Sequence, residues 1–218
     1  MRTFSKVIPW LAFLCFLLLT GCGDRNNAKN FLLLHPGVTW YYDVDIQGMK
    51  QEMQVQVGEI VKIDGADAYP LSYSYHELAL PTQIEYYVVR EQAVLFPRLD
   101  NVQGQFLKKP QQTFLKFPLK KGDKWEWSGK LIPVGERKEA ASGTVKVAVE
   151  DEETVSTPAG TYKNAVRVSF VSVNQTNGTK FEIKEERWYV NKVGMVKEVL
   201  YDERGNEVLT AVLKKVEK

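Results

Sequence analysis

Few residues of this 218-residue chain have the type and spacing that catalysis requires. Its two histidines, His35 and His76, lack the local histidine, cysteine or carboxylate spacing of a metal site. No serine lies in a Gly-x-Ser-x-Gly motif, and no Gly-x-Gly-x-x-Gly or phosphate-binding loop occurs. The sequence therefore predicts no catalytic residue, no metal site and no cofactor.

Carboxylates are the remaining candidates for acid–base chemistry, and they are concentrated in two charged segments. These segments are "VEDEETV" (149–155) and "IKEERW" (183–188). Charges that alternate along a strand usually belong to its solvated face, and we interpret both segments in this way. A hydrolase, the least favoured function, would need two acids that converge in one cleft with perturbed pKa values.

Aromatic side chains are the strongest remaining signal. They could fill the core, because aromatic residues bury a large area and favour strands, or they could line a groove for a lipid, a glycan or a partner peptide. We expect Trp40 and Trp125 in the core, whereas both alternatives stay open for Tyr42 and Trp127. The candidate ligand- or partner-binding residues are Tyr42, Trp127, Trp188 and Tyr189.

The N-terminus has the features of an export signal. Arg2 and Lys6 precede an apolar stretch from Val7 to Leu19, which is short for a membrane span. The next residues, "LTGC", resemble the lipobox of bacterial lipoproteins. That resemblance implies a signal-peptide helix over residues 1–21, cleavage before Cys22 and attachment of lipid to the Cys22 thiol. The alternative is an uncleaved N-terminal anchor helix.

Removal of the signal changes the composition of the chain. The precursor has 29 Lys+Arg and 27 Asp+Glu, and the loss of Arg2 and Lys6 makes the mature chain formally neutral. A nucleic-acid partner is therefore not predicted. Cys15 leaves with the signal and Cys22 carries lipid, so no disulfide is expected. The polar residues 22–30 are predicted to be a lipidated tether that holds the protein to a membrane of the cell envelope. The resemblance implies the outer membrane in a cell with two membranes, and the outer face of the cell membrane in a cell with one.

Strand signals follow one another over residues 31–218. The segment "PLSYSYH" (70–76) alternates apolar or aromatic residues with polar ones, which is the period of a strand with one buried face. Tight turns are predicted at "IDGAD" (63–67), where Asp-Gly tolerates positive φ angles. We predict an all-β domain of about ten to twelve strands. Its expected form is a single antiparallel curved sheet or incomplete barrel.

An internal repeat underlies this prediction. "LHPGVTWYY" (34–42) aligns with "LKKGDKWEW" (119–127) as Leu-x-x-Gly-x-x-Trp-x-aromatic, and "YVVREQAVL" (87–95) resembles "WYVNKVGMV" (188–196). Trp40 thus matches Trp125, and Tyr42 matches Trp127. We interpret the domain as two degenerate β-repeats, with halves over residues 31–112 and 113–218.

The second half also resembles uncharacterised bacterial envelope proteins. The shared series is Phe-Pro-Leu-x-x-Gly-x-x-Trp from Phe117, Pro-Ala-Gly-Thr from Pro158 and Trp-Tyr followed by Val-Gly-Met-Val-Lys from Trp188. It implies a β-rich envelope fold and no catalytic residues. We therefore expect a non-catalytic envelope lipoprotein that acts as a binding or assembly module. The alternative, by analogy with the curved folds of LolA and LolB, is a lipid or lipoprotein carrier with an apolar cavity.

Overall fold

The computed structural model describes residues 28–75, 83–176 and 178–218. The predicted signal peptide, Cys22, His76 and the first residues of the tether lie outside this part of the chain. Within it, one short helix, α1 (Ala28–Phe31), precedes thirteen strands. No helix in the described ranges is long and apolar enough to cross a membrane. The strands are β1 (Thr39–Ile46), β2 (Met49–Val57), β3 (Val61–Ile63), β4 (Ala66–Tyr75), β5 (Gln83–Arg90), β6 (Ala93–Asn101), β7 (Gly104–Lys116), β8 (Lys124–Pro133), β9 (Ala141–Thr157), β10 (Gly160–Thr176), β11 (Thr179–Val190), β12 (Gly194–Tyr201) and β13 (Glu207–Glu217).

The strands form one antiparallel sheet that closes on itself. Its order is β2-β1-β13-β12-β11-β10-β9-β8-β7-β6-β5-β4, and β2 also pairs with β4 from Met53↔Tyr75 to Val57↔Leu71. Twelve strands therefore make a closed barrel, and the short β3 pairs with β4 alone. The all-β prediction is confirmed. The prediction of an open curved sheet or incomplete barrel is wrong, because pairing between β2 and β4 joins the two ends of the sheet.

The barrel interior is filled by alternate residues of the strands. In β1, for example, Trp40, Tyr42 and Val44 are buried, whereas Tyr41 and Asp43 between them are partly exposed. This period of two is the geometry of a pleated strand with one face inward. Buried side chains from strands around the ring join in one core cluster.

α1 and the segment after it pack against the core of the barrel. Phe31 packs edge-on against Phe117, with ring centroids 5.2 Å apart. Leu32 and Leu34 are buried and reach the interior. Residues 28–30, which the sequence assigned to the tether, are the first three residues of α1, and Ala28 is buried in the core.

The predicted Asp-Gly turn joins β3 to β4. Asp64 and Gly65 have φ angles of 50° and 77°, the left-handed values that a two-residue hairpin turn requires. The carboxylate of Asp64 accepts hydrogen bonds from Lys109 Nζ at 2.9 Å and Gln111 Nε2 at 3.3 Å. The β3–β4 turn is thereby held against β7.

The twelve barrel strands fall into two groups of six along the chain. The first group runs from β1 to β7 without β3, and the second from β8 to β13. The predicted boundary between residues 112 and 113 lies inside β7, before the connection to β8. The duplication itself stays a prediction.

Candidate functional site

All four candidate binding residues are buried. Their exposed fractions are 2% for Tyr42, 7% for Trp127, 4% for Trp188 and 3% for Tyr189. Tyr42 and Tyr189 line a small cavity among the core residues. Trp40 and Trp125 are also in the core, as predicted, and the structure places Tyr42 and Trp127 there with them.

The aromatic pair of β1 binds the backbone of β12 and the turn before it. Trp40 donates a hydrogen bond from Nε1 to the carbonyl oxygen of Val193 at 2.7 Å. Tyr42 donates from its hydroxyl to the carbonyl oxygen of Met195 at 3.0 Å. Each ring thus buries its apolar surface and satisfies a carbonyl group two strands away.

The aromatic pair of β8 binds the backbone of β7 in a comparable way. Trp125 donates from Nε1 to the carbonyl oxygen of Thr113 at 3.0 Å, and Trp127 donates to that of Pro110 at 2.8 Å. Positions that match in the proposed repeat therefore share a role. In both pairs, the N–H or O–H group of each ring donates a hydrogen bond to a backbone carbonyl oxygen.

These two indole bonds lie where the barrel wall is least complete. β7 and β8 pair only over Phe106–Lys109 and Lys130–Pro133. Beyond that point, residues 112–116 of β7 pair with β6, and residues 124–129 of β8 pair with β9. We call the unpaired edges, Gln111–Lys116 and Lys124–Ser128, the β7–β8 seam.

Gly129 marks the point where the seam begins. A Cβ atom there would lie 2.7 Å from the carbonyl oxygen of Lys109 and would collide with the ring of Trp127. Only glycine lets the two strands and the indole approach this closely. The seam therefore requires glycine at position 129, because a larger residue would displace Trp127 from the carbonyl oxygen of Pro110.

Replacing Trp127 with phenylalanine tests the indole bond. Trp127→Phe leaves the carbonyl oxygen of Pro110 without its donor, which we expect to lower the free energy of unfolding by about 1–3 kcal/mol beyond the loss of ring volume. Trp188→Phe is the matched control, because the buried Nε1 of Trp188 has no hydrogen-bond partner. Urea unfolding followed by circular dichroism compares the two variants. Equal losses in both variants would show that the indole bond contributes nothing.

Charged side chains gather inside the barrel. Arg187 donates from Nε to Glu198 Oε1 at 2.9 Å, and its Nη1 lies 4.0 Å from Glu85 Oε2. Its guanidinium also contacts Glu185. We call this group the interior ion cluster, and its members are Glu85, Lys108, Glu185, Arg187 and Glu198.

Tyrosines complete the hydrogen bonding of Glu85. Tyr73 and Tyr87 both donate to Glu85 Oε2, at 2.8 and 2.5 Å, and Gln83 Nε2 donates to Oε1 at 3.0 Å. Such bonds stabilise the charged form of a carboxylate away from water. Burial, followed by the charge of Glu85, raises the pKa of both tyrosines well above the ordinary value, so they remain donors.

Aromatic rings surround the two cations of the cluster. The guanidinium carbon of Arg187 lies 5.5 Å from the ring centroid of Phe114 and 5.9 Å from that of Phe170. Lys108 Nζ lies 3.9 Å from the centroid of Phe96 and bonds to the side chain of Gln112. The negative ring faces attract the cations where water is excluded.

Two members of the cluster have pKa values near neutrality. Burial raises the pKa of Glu185 to about 8, against the opposing effect of Arg187 and with a further increase from Glu198. Burial also lowers the pKa of Lys108 to about 8. In both cases burial favours the neutral form of the side chain.

The cluster corrects the interpretation of "IKEERW" as a solvated face. Glu185 and Arg187 lie inside the barrel, and Glu186 is also buried. The signal was present, because Glu185 and Arg187 continue the face of β11 that carries Tyr189. In "VEDEETV", by contrast, Asp151 and Glu152 are exposed as predicted.

The cavity beside the cluster is small. Its volume is about 40 Å³, and its lining includes Trp40, Tyr42, Arg187 and Tyr189. This volume holds on the order of three water molecules, whereas small-molecule sites measure roughly 300–1,000 Å³. The convergent carboxylates meet one condition for acid–base chemistry, but the cavity that the described residues form beside them is too small for a substrate. In the described ranges, no three histidine, cysteine or acidic side chains are placed to hold a metal ion.

The fold and its interior define a class of protein: a closed antiparallel barrel filled by side chains around a buried ion cluster. Residues 102–213, just over half of the chain, match the DUF3108-like family. The chain belongs to this family. The match includes the whole Phe117–Lys197 series on which the resemblance to envelope proteins was based.

Two crystal structures share the fold. One, from Bacteroides fragilis, is described provisionally as an exported protein with a YmcC-like fold. It has 15% identity and a TM-score of 0.56, and covers 84% of this chain and 97% of its own. The other, from Parabacteroides distasonis, is described provisionally as a lipoprotein. It has 16% identity and a TM-score of 0.55, and covers 86% of this chain and 98% of its own. No curated protein matches the sequence significantly.

Proposed function

We propose that this chain is a lipid-anchored, non-catalytic protein of the cell envelope that acts as a binding or assembly module. The filled barrel interior carries the proposal. A cavity of about 40 Å³ accepts neither a substrate nor an acyl chain, so other molecules must be bound at the outer surface. The buried carboxylates then serve the fold, since each converges on Arg187 or on tyrosine hydroxyls.

Attachment at Cys22 is the second part of the proposal. The "LTGC" sequence supports it, and the two structural neighbours are described provisionally as an exported protein and a lipoprotein. The implied location is the outer membrane, facing the periplasm, in a cell with two membranes, or the outer face of the cell membrane in a cell with one.

Replacing Cys22 with serine tests the anchor. Cys22→Ser removes the thiol that accepts lipid, so we expect no incorporation of radiolabelled palmitate. Cys15→Ser is the matched control, because Cys15 lies within the predicted signal. Palmitate labelling of the Cys22→Ser variant would contradict the anchor.

A binding module should have a reproducible partner at its outer surface. We expect a photo-crosslinking amino acid at exposed outer positions, such as Ser74, Glu126 or Lys146, to give at least one defined adduct in living cells. Cells kept in the dark provide the control. No adduct from any of these positions at native expression would refute the module.

The carrier alternative makes a different prediction. Leu32 and Leu34 line the interior cavity, so displacement of the segment after α1 would enlarge it. A carrier would therefore bind a hydrophobic dye such as N-phenyl-1-naphthylamine, with increased fluorescence. We expect no increase with the full chain. Saturable binding of one dye per chain would favour the carrier.

A further inference from the structure

We propose that the end of the barrel that carries α1 lies against the membrane, where a basic groove binds the anionic headgroups of the lipids. This inference goes beyond the binding module and rests on one part of the proposed function, the attachment of the chain to a membrane before α1. It starts from the short distance between that attachment and the groove.

The attachment point lies close to α1. Five residues, 23–27, separate Cys22 from Ala28, and an extended chain of this length reaches at most about 20 Å. α1 adds a single helical turn, in which the N–H group of Leu32 donates to the carbonyl oxygen of Ala28 at 3.0 Å. Leu33, the next residue, already lines the groove. The groove therefore lies near the membrane surface in any chain that is attached before α1.

The basic groove combines cations with apolar side chains. It is an open groove of about 540 Å³ between the segment after α1, the β9–β10 turn, the β11–β12 turn and the end of β13. Its lining includes Leu33, Tyr162, Lys192, Val193, Lys215 and Lys218. Among the residues that the structure describes, no acidic side chain lines it. The headgroup layer of a membrane offers the complementary surface, with anionic phosphates above acyl chains.

The lysines of the groove are placed to meet such a layer. Lys192, Lys215 and Lys218 are exposed. Lys215 Nζ bonds to Glu217 Oε1 at 2.6 Å and lies 4.1 Å from the ring centroid of Tyr41. An exposed ion pair contributes little, so a lipid phosphate can compete with the carboxylate. Lysine also packs its stem along apolar surface while its ammonium group stays at the polar boundary.

The opposite end of the barrel has a different charge. A groove beside the β1–β2 turn is lined by four carboxylates and two lysines. They are Asp43, Asp45, Glu52 and Glu207, with Lys50 and Lys214. Lys214 lines both grooves, and its ammonium group bonds to Glu52 at 2.7 Å. The length of β1, about 25 Å, separates the two ends, so an anionic surface attracts the α1 end more strongly.

Acidic side chains also occur at the α1 end, on β9, and most of them have cationic partners. Asp151 is paired with Lys121. Glu153 lies 3.2 Å from the Nε atom of Arg167. These pairs lie outside the basic groove, so they do not neutralise its lysines.

Energy transfer to the membrane tests the orientation of the barrel. The full chain, reconstituted in vesicles, carries a fluorescent noncanonical amino acid at Ser156, near the β9–β10 turn, or at Gln103, in the β6–β7 turn. Both positions are exposed, and the lipids carry the acceptor. In phosphatidylcholine vesicles with about 30% phosphatidylglycerol, we expect transfer from position 156 to exceed that from position 103 by about twofold or more. Equal transfer from the two positions would overturn the proposal.

Charge reversal tests the groove itself. Lys192→Glu/Lys218→Glu should lower the excess transfer from position 156 to its value in vesicles of phosphatidylcholine alone. The matched control is Lys138→Glu/Lys180→Glu, which makes the same change in net charge at exposed positions of the β8–β9 connection and the β10–β11 turn. It should leave the excess unchanged. An excess that survives in Lys192→Glu/Lys218→Glu, or that falls equally in the control, would contradict lipid binding by the groove.

The outcomes separate this inference from the proposed function. Palmitate labelling reports on the anchor, and outer-surface adducts report on the binding module. Equal transfer from both positions in a palmitate-labelled protein would overturn the groove alone. Palmitate labelling that persists in Cys22→Ser would overturn the lipid anchor, whereas excess transfer from position 156 would still support the groove, because an uncleaved anchor helix also precedes α1. No transfer from either position would overturn both the membrane attachment and the groove.

Discussion

Replacing Arg187 with methionine is expected to lower the free energy of unfolding by about 3–5 kcal/mol, because removal of one partner leaves buried carboxylates without compensation. Arg187 is the cation that Glu85, Glu185 and Glu198 share, and its guanidinium also packs against two phenylalanine rings. Methionine keeps the side chain long and apolar, so the loss measured is mainly that of charge. Urea unfolding near pH 7, followed by tryptophan fluorescence, provides the measurement.

Two further variants test whether the effect of Arg187→Met comes from the loss of its buried charge. Arg90→Met changes an exposed arginine at the end of β5 and should cost less than about 1 kcal/mol. Adding Glu198→Gln to Arg187→Met removes one uncompensated charge, so the double variant should recover part of the loss. A loss below about 1 kcal/mol in Arg187→Met alone would show that the cluster does not hold the barrel together.

Replacing Glu185 with glutamine is expected to change how stability depends on pH. The folded pKa of Glu185 is raised from 4.5 to about 8 by burial, so the folded state binds a proton that the unfolded state releases. The contribution of this proton is fully present below pH 4.5 and is lost as the pH rises to about 8. Glutamine is neutral throughout, so Glu185→Gln should remove this decline and be more stable than the parent at pH 8, by on the order of 3 kcal/mol.

Lys108 has the opposite effect on how stability depends on pH, and this effect lies at higher pH. Its folded pKa is lowered from 10.5 to about 8 by burial, so its contribution is present above pH 10.5 and is lost as the pH falls through 8. The two groups together predict a minimum of stability near pH 8. Unfolding curves from pH 5 to pH 9 should show the decline in the parent and in Lys108→Met, but not in Glu185→Gln. A parallel decline in Glu185→Gln would exclude Glu185 as its source.

Local structure in this protein follows closely from the sequence. Alternation in "PLSYSYH" predicted a strand with one buried face, and Tyr73 is buried on it. Asp64 and Gly65 adopt the positive φ angles that their types favour. Both features depend on residues close together in the chain, where side-chain period and backbone sterics decide the outcome.

Closure of the barrel depended on a contact between distant strands. Any antiparallel series of strands can remain open or join its ends, and the pairing of β2 with β4 settles this. The hydrogen bonds of the Trp125 and Trp127 indoles could not be predicted either. Their acceptors lie at an interruption of the β7–β8 ladder, which no local sequence pattern indicates. Burial of Trp40 and Trp125 was predictable from residue type, whereas the hydrogen-bond partners were not.

The interior ion cluster was not predicted, because charged residues were expected on the solvent-facing side of each strand. Along β11, Glu185, Arg187 and Tyr189 share a face, and Tyr189 at its end is apolar enough to mark that face as inward. The rule that charges lie outside fails when opposite charges arrive from several strands at once. Here β5, β7, β11 and β12 each supply a member, and no segment alone reveals the balance.

The packing of α1 has a mechanical consequence for the proposed membrane attachment. In a chain anchored at Cys22, only five residues would separate the lipidated cysteine from α1, and the residues after α1 are part of the core. Tension between membrane and barrel would therefore act first on α1 and Leu34, and on the hydrogen bond that joins Gly37 to Val57 at the end of β2. The strength of such an anchorage would be limited by the packing of this segment.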